Sequence, residues 1–135
     1  ELGDAHRIID QGDRGDEYNF DAVPHDQPID GPAAPARITA LRSGPVSAAL
    51  RIEQSYSLPR CLADDRRSRA VERSEYAIET VVTVYAAVPR IDFVTTIDNR
   101  VRDHRLRVHV RTPLAANVIH CEQAFDVVAR AFELE

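Results

Sequence analysis

Residues 76–85 read YAIETVVTVY, and this run of β-branched and aromatic residues decides the fold class. Its side chains fall into two alternating sets, and a period of two is typical of a β-strand. Both sets contain apolar residues, so the pattern predicts a strand in the interior of a sheet, partly covered on both faces. One set is Tyr76, Ile78, Thr80, Val82 and Val84, and the other is Glu79, Val81, Thr83 and Tyr85.

Alternating segments also flank this strand on both sides. Downstream, residues 90–98 predict a second strand after the Val88-Pro89 break, and residues 105–111 predict a third. Upstream, residues 37–42 and 46–57 predict a hairpin around a Ser-Gly-Pro break. Val46, Ala48, Leu50, Ile52 and Tyr56 form the apolar side of that hairpin's second strand.

At least five such strands, counting one expected near residues 124–128, predict an all-β fold with an antiparallel sheet packed as a β-sandwich. Residues 59–73 form a charged connection without an apolar stripe, although one helical turn there stays open. Residues 1–36, rich in Asp, Gly and Pro, are predicted to be a loop region with one short strand at residues 6–9. The sandwich core is then assigned to residues 37–133, and residues 134–135 could be a cloning remnant.

The composition of the 135-residue chain, 44% hydrophobic and 29% charged, is that of one globular domain. Its formal net charge of −5 disfavours a nucleic-acid or membrane-surface binder. No apolar run approaches the roughly 18 residues of a membrane span. Cys61 and Cys121 are expected to be reduced, although a disulfide stays open. Since Met is absent and both ends are abrupt, we expect a piece of a longer polypeptide.

Residues 10–20, DQGDRGDEYNF, form the first candidate site. Aspartates three residues apart with intervening glycines could gather oxygens around Ca²⁺, but the spacing departs from the EF-hand loop. An acidic surface loop is therefore favoured over a calcium site.

The second candidate is Asp103-His104, which could act in acid–base chemistry. A turn whose aspartate accepts backbone N–H groups is favoured instead. His104, His109, His120 and Cys121 lack the spacing of a metal site, and no spacing among the 22 acidic residues selects a catalytic pair.

Three stretches together resemble the C-terminal half of glycoside hydrolase family 38 α-mannosidases, in the bacterial branch that includes mannosylglycerate-type hydrolases. They are residues 13–20 (DRGDEYNF), residues 90–108 (RIDFVTTIDNRVRDHRLRV) and residues 125–130 (FDVVAR). They occur in the order seen in the family and extend over nearly the whole chain. Arg102 stands where Lys is common in the family.

The resemblance implies a retaining hydrolase of α-mannosides. In that family an upstream α/β barrel carries the nucleophile, the acid/base and a divalent metal, usually Zn²⁺, and a helical segment leads to mutarotase-like β supersandwich domains. For this chain it implies a non-catalytic β domain with no catalytic residue, metal ligand or cofactor of its own, inactive when isolated. Its partners would be the barrel, the helical segment and the α-mannoside. Whether the protein also forms a homo-oligomer stays open. No signal peptide is visible, and we expect a cytoplasmic bacterial protein.

The resemblance also implies a role for the first candidate stretch, because a loop at the start of the family's β region reaches the active-site cleft. On this basis Tyr18 would close the sugar pocket, with Asp16 or Asp13 bonding a hydroxyl; a loop that merely buttresses the barrel is the alternative. In the isolated chain we also expect an apolar patch near residues 1–36, or self-association there, because the barrel would cover this region in the whole protein.

A competing hypothesis is an autonomous carbohydrate-binding module. Such modules display aromatic stacking platforms, whereas this chain has 6% aromatic residues and no Trp.

Overall fold

The computed structural model describes residues 6–131, which form eight β-strands and, within that range, no helix. Every strand pair is antiparallel, as predicted. The predicted cloning remnant at residues 134–135 lies outside the described residues. The strands are β1 (Arg7–Gly12), β2 (Arg37–Ser43), β3 (Ser47–Pro59), β4 (Arg73–Tyr85), β5 (Ile91–Ile97), β6 (His104–His109), β7 (Val118–Gln123) and β8 (Asp126–Ala131).

The largest sheet has four strands in the order β2-β3-β4-β5, and β4 lies in its interior as its sequence predicts. The long β3–β4 ladder runs from Ser47↔Tyr85 to Pro59↔Arg73, and Val82 lies between Leu50 of β3 and Phe93 of β5. The predicted β2–β3 hairpin is confirmed, with a register shift between Ala40 and Arg42. These consecutive antiparallel pairings need only short connections, which explains why local sequence signals located them.

A two-stranded ribbon of β1 and β6 covers one end of this sheet. The core lies between them, where Ile29 and Leu106 also pack against a cluster of buried side chains. The predicted strand near residues 6–9 is thus confirmed as β1, and the N-terminal region contributes buried residues rather than loop alone. The cluster consists of Ile8, Tyr56, Leu58, Tyr76, Ile78 and Val101.

The remaining strands, β7 and β8, form a separate hairpin. The sequence pattern does not indicate β7, and the last strand, predicted at residues 124–128, is wrong in its bounds because the structure has a turn there followed by β8. Ala124 and Phe125 form that turn, so Phe125 is fully exposed rather than part of a strand.

Residues 60–72 connect β3 to β4 without a helical turn. Leu62 and Arg69 form an isolated bridge, and the Ala70 N–H donates to the Cys61 carbonyl at 2.9 Å. Arg66 at the tip has a left-handed φ of 53°, which closes the turn. Residues 6–131 form no helix that could cross a lipid bilayer.

Candidate functional site

Residues 13–22, hereafter the 13–22 loop, follow directly from β1 and double back on themselves. Asp13 and Ala22 form an isolated antiparallel bridge at the base of the loop. Above it the Arg14 N–H donates to the Asp21 carbonyl at 2.8 Å, and the Asp16 N–H donates to the Asn19 carbonyl at 3.2 Å. The loop is therefore a hydrogen-bonded hairpin with a defined shape.

Both candidate aspartates use a carboxylate oxygen to hold this shape. Asp13 Oδ1 accepts the N–H groups of Gly15 at 2.8 Å and Asp21 at 3.0 Å. Asp16 Oδ1 accepts the N–H groups of Tyr18 and Asn19, each at 2.9 Å. These backbone hydrogen bonds favour the ionised form and hold the pKa of Asp16 below its ordinary value of 3.8.

Gly15 is required by the close approach of the two sides of the loop. A Cβ atom built on Gly15 would lie 1.7 Å from the Asn19 carbonyl oxygen, a distance that no side chain tolerates. Glycine at position 15 is thus a steric requirement of the loop.

Tyr18 lies at the tip of the loop, and its side chain is 83% exposed. Phe20, two residues further on, is half-covered by the Arg105 guanidinium, which lies 4.4 Å above its ring. This cation–π contact fixes the returning side of the loop against β6. Tyr18 is thus exposed at the tip of the loop, whereas Phe20 is held against Arg105 of β6.

The Asp103-His104 turn, the second candidate from the sequence, anchors the base of the loop. Asp103 has a left-handed φ of 54°, and its carbonyl accepts the Asp13 N–H at 3.0 Å. As predicted, its carboxylate accepts a backbone N–H, that of Leu62 at 3.3 Å. Arg66 also donates to the Arg14 carbonyl at 2.7 Å. Three segments distant in sequence therefore meet at this turn.

Beneath the loop lies a buried ionic cluster that the sequence analysis did not identify. Asp10 is 0% exposed, and its two carboxylate oxygens accept hydrogen bonds from Arg69 and from Nδ1 of His104, the latter at 2.5 Å. Arg69 Nη1 also lies 3.9 Å from Asp26 Oδ2, which accepts the Gly12 N–H at 2.7 Å. Arg69 follows Asp10 by 59 residues, so no local spacing could have indicated the pair.

The imidazole of His104 is the second polar partner of the Asp10 carboxylate in this cluster. Its Nε2 lies 3.2 Å from Asn99 Oδ1, which is fixed as an acceptor because it also receives the Val101 N–H at 3.0 Å. Each ring nitrogen thus lies within hydrogen-bond distance of a side-chain oxygen, Nδ1 of Asp10 and Nε2 of Asn99. Tyr76 packs edge-on against the imidazole, with 5.9 Å between the two ring centroids. Burial, and after it the nearby charge of Asp10, raises the pKa of this tyrosine.

The cluster is structural rather than catalytic, because a group that transfers a proton to a substrate must reach it. Asp10 has no exposed surface, and the side chains of Arg69 and His104 are almost as deeply buried. Among residues 6–131 no group of three or more His, Cys, Asp or Glu side chains is arranged to hold a metal ion. His109 and His120 are separate surface residues, and Cys61 and Cys121 are both free thiols.

Comparison with known proteins adds the context of this site. The family model described as the C-terminal domain of glycosyl hydrolases family 38 matches residues 6–134. No curated protein sequence matches the chain.

Two solved structures resemble this fold closely. An alpha-mannosidase from Enterococcus faecalis V583 is 27% identical with a TM-score of 0.87, and the match covers 99% of this chain and 17% of that one. A protein in the glycosyl hydrolase family 38 from Enterococcus faecalis is 28% identical with a TM-score of 0.86, covering 96% and 17%. The chain therefore spans 17% of the length of these relatives.

We predict that Arg69→Met lowers the free energy of unfolding by about 3–5 kcal/mol, because it leaves the Asp10 carboxylate buried without its cationic partner. Urea denaturation measures the effect. Arg67→Met, on the same connection but exposed, is the control and should change stability by less than about 0.5 kcal/mol. Equal stability of the two variants would show that the buried pair contributes nothing.

We predict that Gly15→Ala opens the 13–22 loop, since the added methyl group displaces the Asn19 carbonyl. Amide hydrogen exchange at Tyr18 and Asn19, whose N–H groups bond to Asp16, should accelerate about ten-fold or more. Gly31→Ala is the control, because a Cβ there has no atom within 4 Å. Unchanged exchange in Gly15→Ala would contradict the described loop geometry.

Proposed function

The chain belongs to glycosyl hydrolase family 38, within the C-terminal domain of that family, and from this premise we propose that it is the non-catalytic β domain of a longer α-mannosidase. The observation that carries the proposal is the match over 99% of the chain to 17% of a solved alpha-mannosidase. It is supported by the way the chain's candidate acids are used. Asp10 is buried in an ion pair, and Asp13 and Asp16 hold backbone N–H groups.

Within that enzyme, we propose that the 13–22 loop lends Tyr18 to the sugar pocket. An exposed phenol suits this task, because its ring can pack on the apolar face of a sugar and its hydroxyl can bond a sugar hydroxyl. The loop's internal hydrogen bonds and its ties to Asp103 and Arg105 support the proposal, since a pre-organised loop loses little conformational entropy on binding.

Asp13 and Asp16 have a more limited role in this proposal. One oxygen of each carboxylate already accepts two backbone N–H groups, so a sugar hydroxyl would bond the other oxygen. Their main contribution is then to position Tyr18.

The proposal assigns the metal and the covalent chemistry to the residues upstream of this chain. The resemblance implies Zn²⁺ in the barrel, and no ligand to it is assigned among residues 6–131. The barrel, the helical segment and the α-mannoside are the proposed partners. A homo-oligomer and a bacterial cytoplasmic location stay predictions.

The alternative hypothesis of an autonomous carbohydrate-binding module lacks a supporting observation. Tyr56 and Tyr76, which a stacking platform would need at its surface, are buried in the core. The two most exposed aromatic residues, Tyr18 and Phe125, lie on separate loops rather than side by side along one strand.

We predict that this chain alone does not hydrolyse an aryl α-mannoside, whereas the full-length protein does so with added Zn²⁺ or Co²⁺. The reason is that the nucleophile and metal would lie upstream. Release of the aryl group by both proteins at equal concentration is the measurement. Turnover by the isolated chain would place the chemistry within these residues and overturn the proposal.

In the full-length protein, we predict that Tyr18→Ala lowers kcat/KM at least about ten-fold through lost contact with the sugar. Tyr18→Phe isolates the contribution of the hydroxyl, and Asp16→Asn removes charge while keeping an acceptor for the loop. Val71→Ala, at an exposed position on the β3–β4 connection, is the control and should leave kcat/KM unchanged. A loss of less than a few-fold in both Tyr18→Ala and Asp16→Asn would mean that the loop only buttresses the barrel.

A further inference from the structure

The 13–22 loop is held from outside by two arginines, one on each of its sides. On the outgoing side, Nη2 of Arg66 donates to the Arg14 carbonyl at 2.7 Å. On the returning side, the Arg105 guanidinium lies 4.4 Å above the Phe20 ring. Arg66 belongs to the β3–β4 connection and Arg105 to β6, so the two contacts come from separate elements. We call this pair of arginines the arginine clamp.

The contact of Arg66 depends on an unusual backbone conformation. Its φ of 53° is left-handed, a region that residues other than Gly, Asn and Asp rarely adopt. Nη1 of Arg66 also lies 3.8 Å from Oδ1 of Asp103, whose own φ is 54° and whose carbonyl accepts the Asp13 N–H. Two of the three left-handed non-glycine residues among residues 6–131 therefore meet at the base of the loop. Backbone strain of this kind persists where surrounding contacts enforce it, and it clusters at functional sites.

The internal hydrogen bonds of the loop, rather than the arginine clamp, give the hairpin its shape. Asp13 and Asp16 each hold two backbone N–H groups within the loop. Both clamp contacts lie at the surface, where the side chain of Arg66 is 52% exposed and Phe20 is 39% exposed. Exposed charges contribute little to global stability, because water competes for them. What the clamp adds is orientation, since it fixes the finished hairpin against β6 and the β3–β4 connection.

Orientation matters most at the tip of the loop, where Tyr18 lies between the two clamped positions. Tyr18 follows Arg14 by four residues and precedes Phe20 by two. If one side of the hairpin is released, the hairpin can tilt about its base, and the tip then moves farther than any other part. A displacement of about 1 Å in a group that positions a substrate can cost on the order of 100-fold in rate. A small tilt is therefore enough to change the contact that Tyr18 makes.

We infer that Arg66 and Arg105 are positioning residues for the contact between Tyr18 and the sugar. Neither arginine touches the substrate in this inference, and each acts through the side of the loop that it holds. Without the clamp, Tyr18 keeps its chemistry but takes up a wider range of positions, so fewer encounters place the phenol against the sugar. The inference rests on the proposed role of Tyr18 in the sugar pocket.

Kinetics of the full-length protein on an aryl α-mannoside test the inference. Arg66→Asn removes the donor to the Arg14 carbonyl but introduces a side chain that tolerates the left-handed conformation. Arg105→Leu removes the guanidinium from the Phe20 ring. Each substitution should lower kcat/KM about three- to ten-fold, with a Tm within about 2 °C of the parent. Arg67→Asn, at an exposed position on the same connection, is the matched control and should leave kcat/KM unchanged.

A conservative variant and a second background separate positioning from a merely structural role. Arg66→Lys keeps a cationic N–H donor at the same place and should recover most of the kcat/KM that Arg66→Asn loses. In the Tyr18→Ala background, Arg66→Asn and Arg105→Leu should have no further effect, because no phenol is left to position. Losses of the same size in both backgrounds would show that the arginines act elsewhere in the protein, and this result would overturn the inference.

The same measurements distinguish this inference from the proposed function. If Tyr18→Ala lowers kcat/KM and neither arginine substitution does, the sugar contact stands without the clamp, and the inference alone is overturned. If Tyr18→Ala has no effect on kcat/KM, the proposed role of Tyr18 fails and the inference fails with it.

Discussion

The burial of one carboxylate, that of Asp10, is the constraint on which the rest of this structure depends. A charge without access to water is tolerated only when partners replace its hydration, and here Arg69 and His104 do so. The backbone of Asp10 is satisfied as well, by reciprocal hydrogen bonds to Ile29 at 2.9 and 2.8 Å. Four segments far apart in sequence must therefore take up their positions together, or the charge is left unpaired.

The Asp103–Arg105 turn connects the buried cluster around Asp10 to the surface loop. Because successive residues of an extended chain point to opposite sides, His104 reaches inward to Asp10 while Arg105 reaches outward over Phe20. The left-handed conformation of Asp103 turns its carbonyl toward Asp13 at the base of the loop. Three consecutive residues thus connect the buried cluster, the loop base and the loop's aromatic anchor, which is why the loop can hold Tyr18 exposed and still be ordered.

Sequence patterns predicted those parts of the fold that depend on neighbouring residues. The alternation in residues 76–85 located the interior strand, and the Ser43-Gly44-Pro45 break located the β2–β3 hairpin, because period and turn chemistry are local properties. The same alternation placed Leu50 and Val84 correctly on the apolar side of their strands, yet both side chains are exposed. Alternation indicates which face of the sheet a side chain points to, but it does not indicate whether another part of the protein covers that face. The Asp10–Arg69 pair joins residues 59 apart and had no local signal. For the candidate site, the motif singled out residues 13–20. Only the hydrogen bonds of the structure show that the two aspartates hold the backbone of the loop while Tyr18 is exposed.

Strand β1 connects the four-stranded sheet to the 13–22 loop. It begins next to His6, which stacks on Phe93 of β5, and it ends at Gly12, from which the 13–22 loop departs. Six extended residues span roughly 17 Å, so β1 runs from the four-stranded sheet to the base of the 13–22 loop without a break. Asp10, near its far end, pairs with Leu106 of β6 in the strand register, and a Cβ added to Gly12 would lie 2.8 Å from Val23 Cγ2, so only glycine fits there without a shift of its neighbours. In this arrangement the position of the exposed Tyr18 depends on the buried cluster around Asp10, to which β1 connects the loop directly.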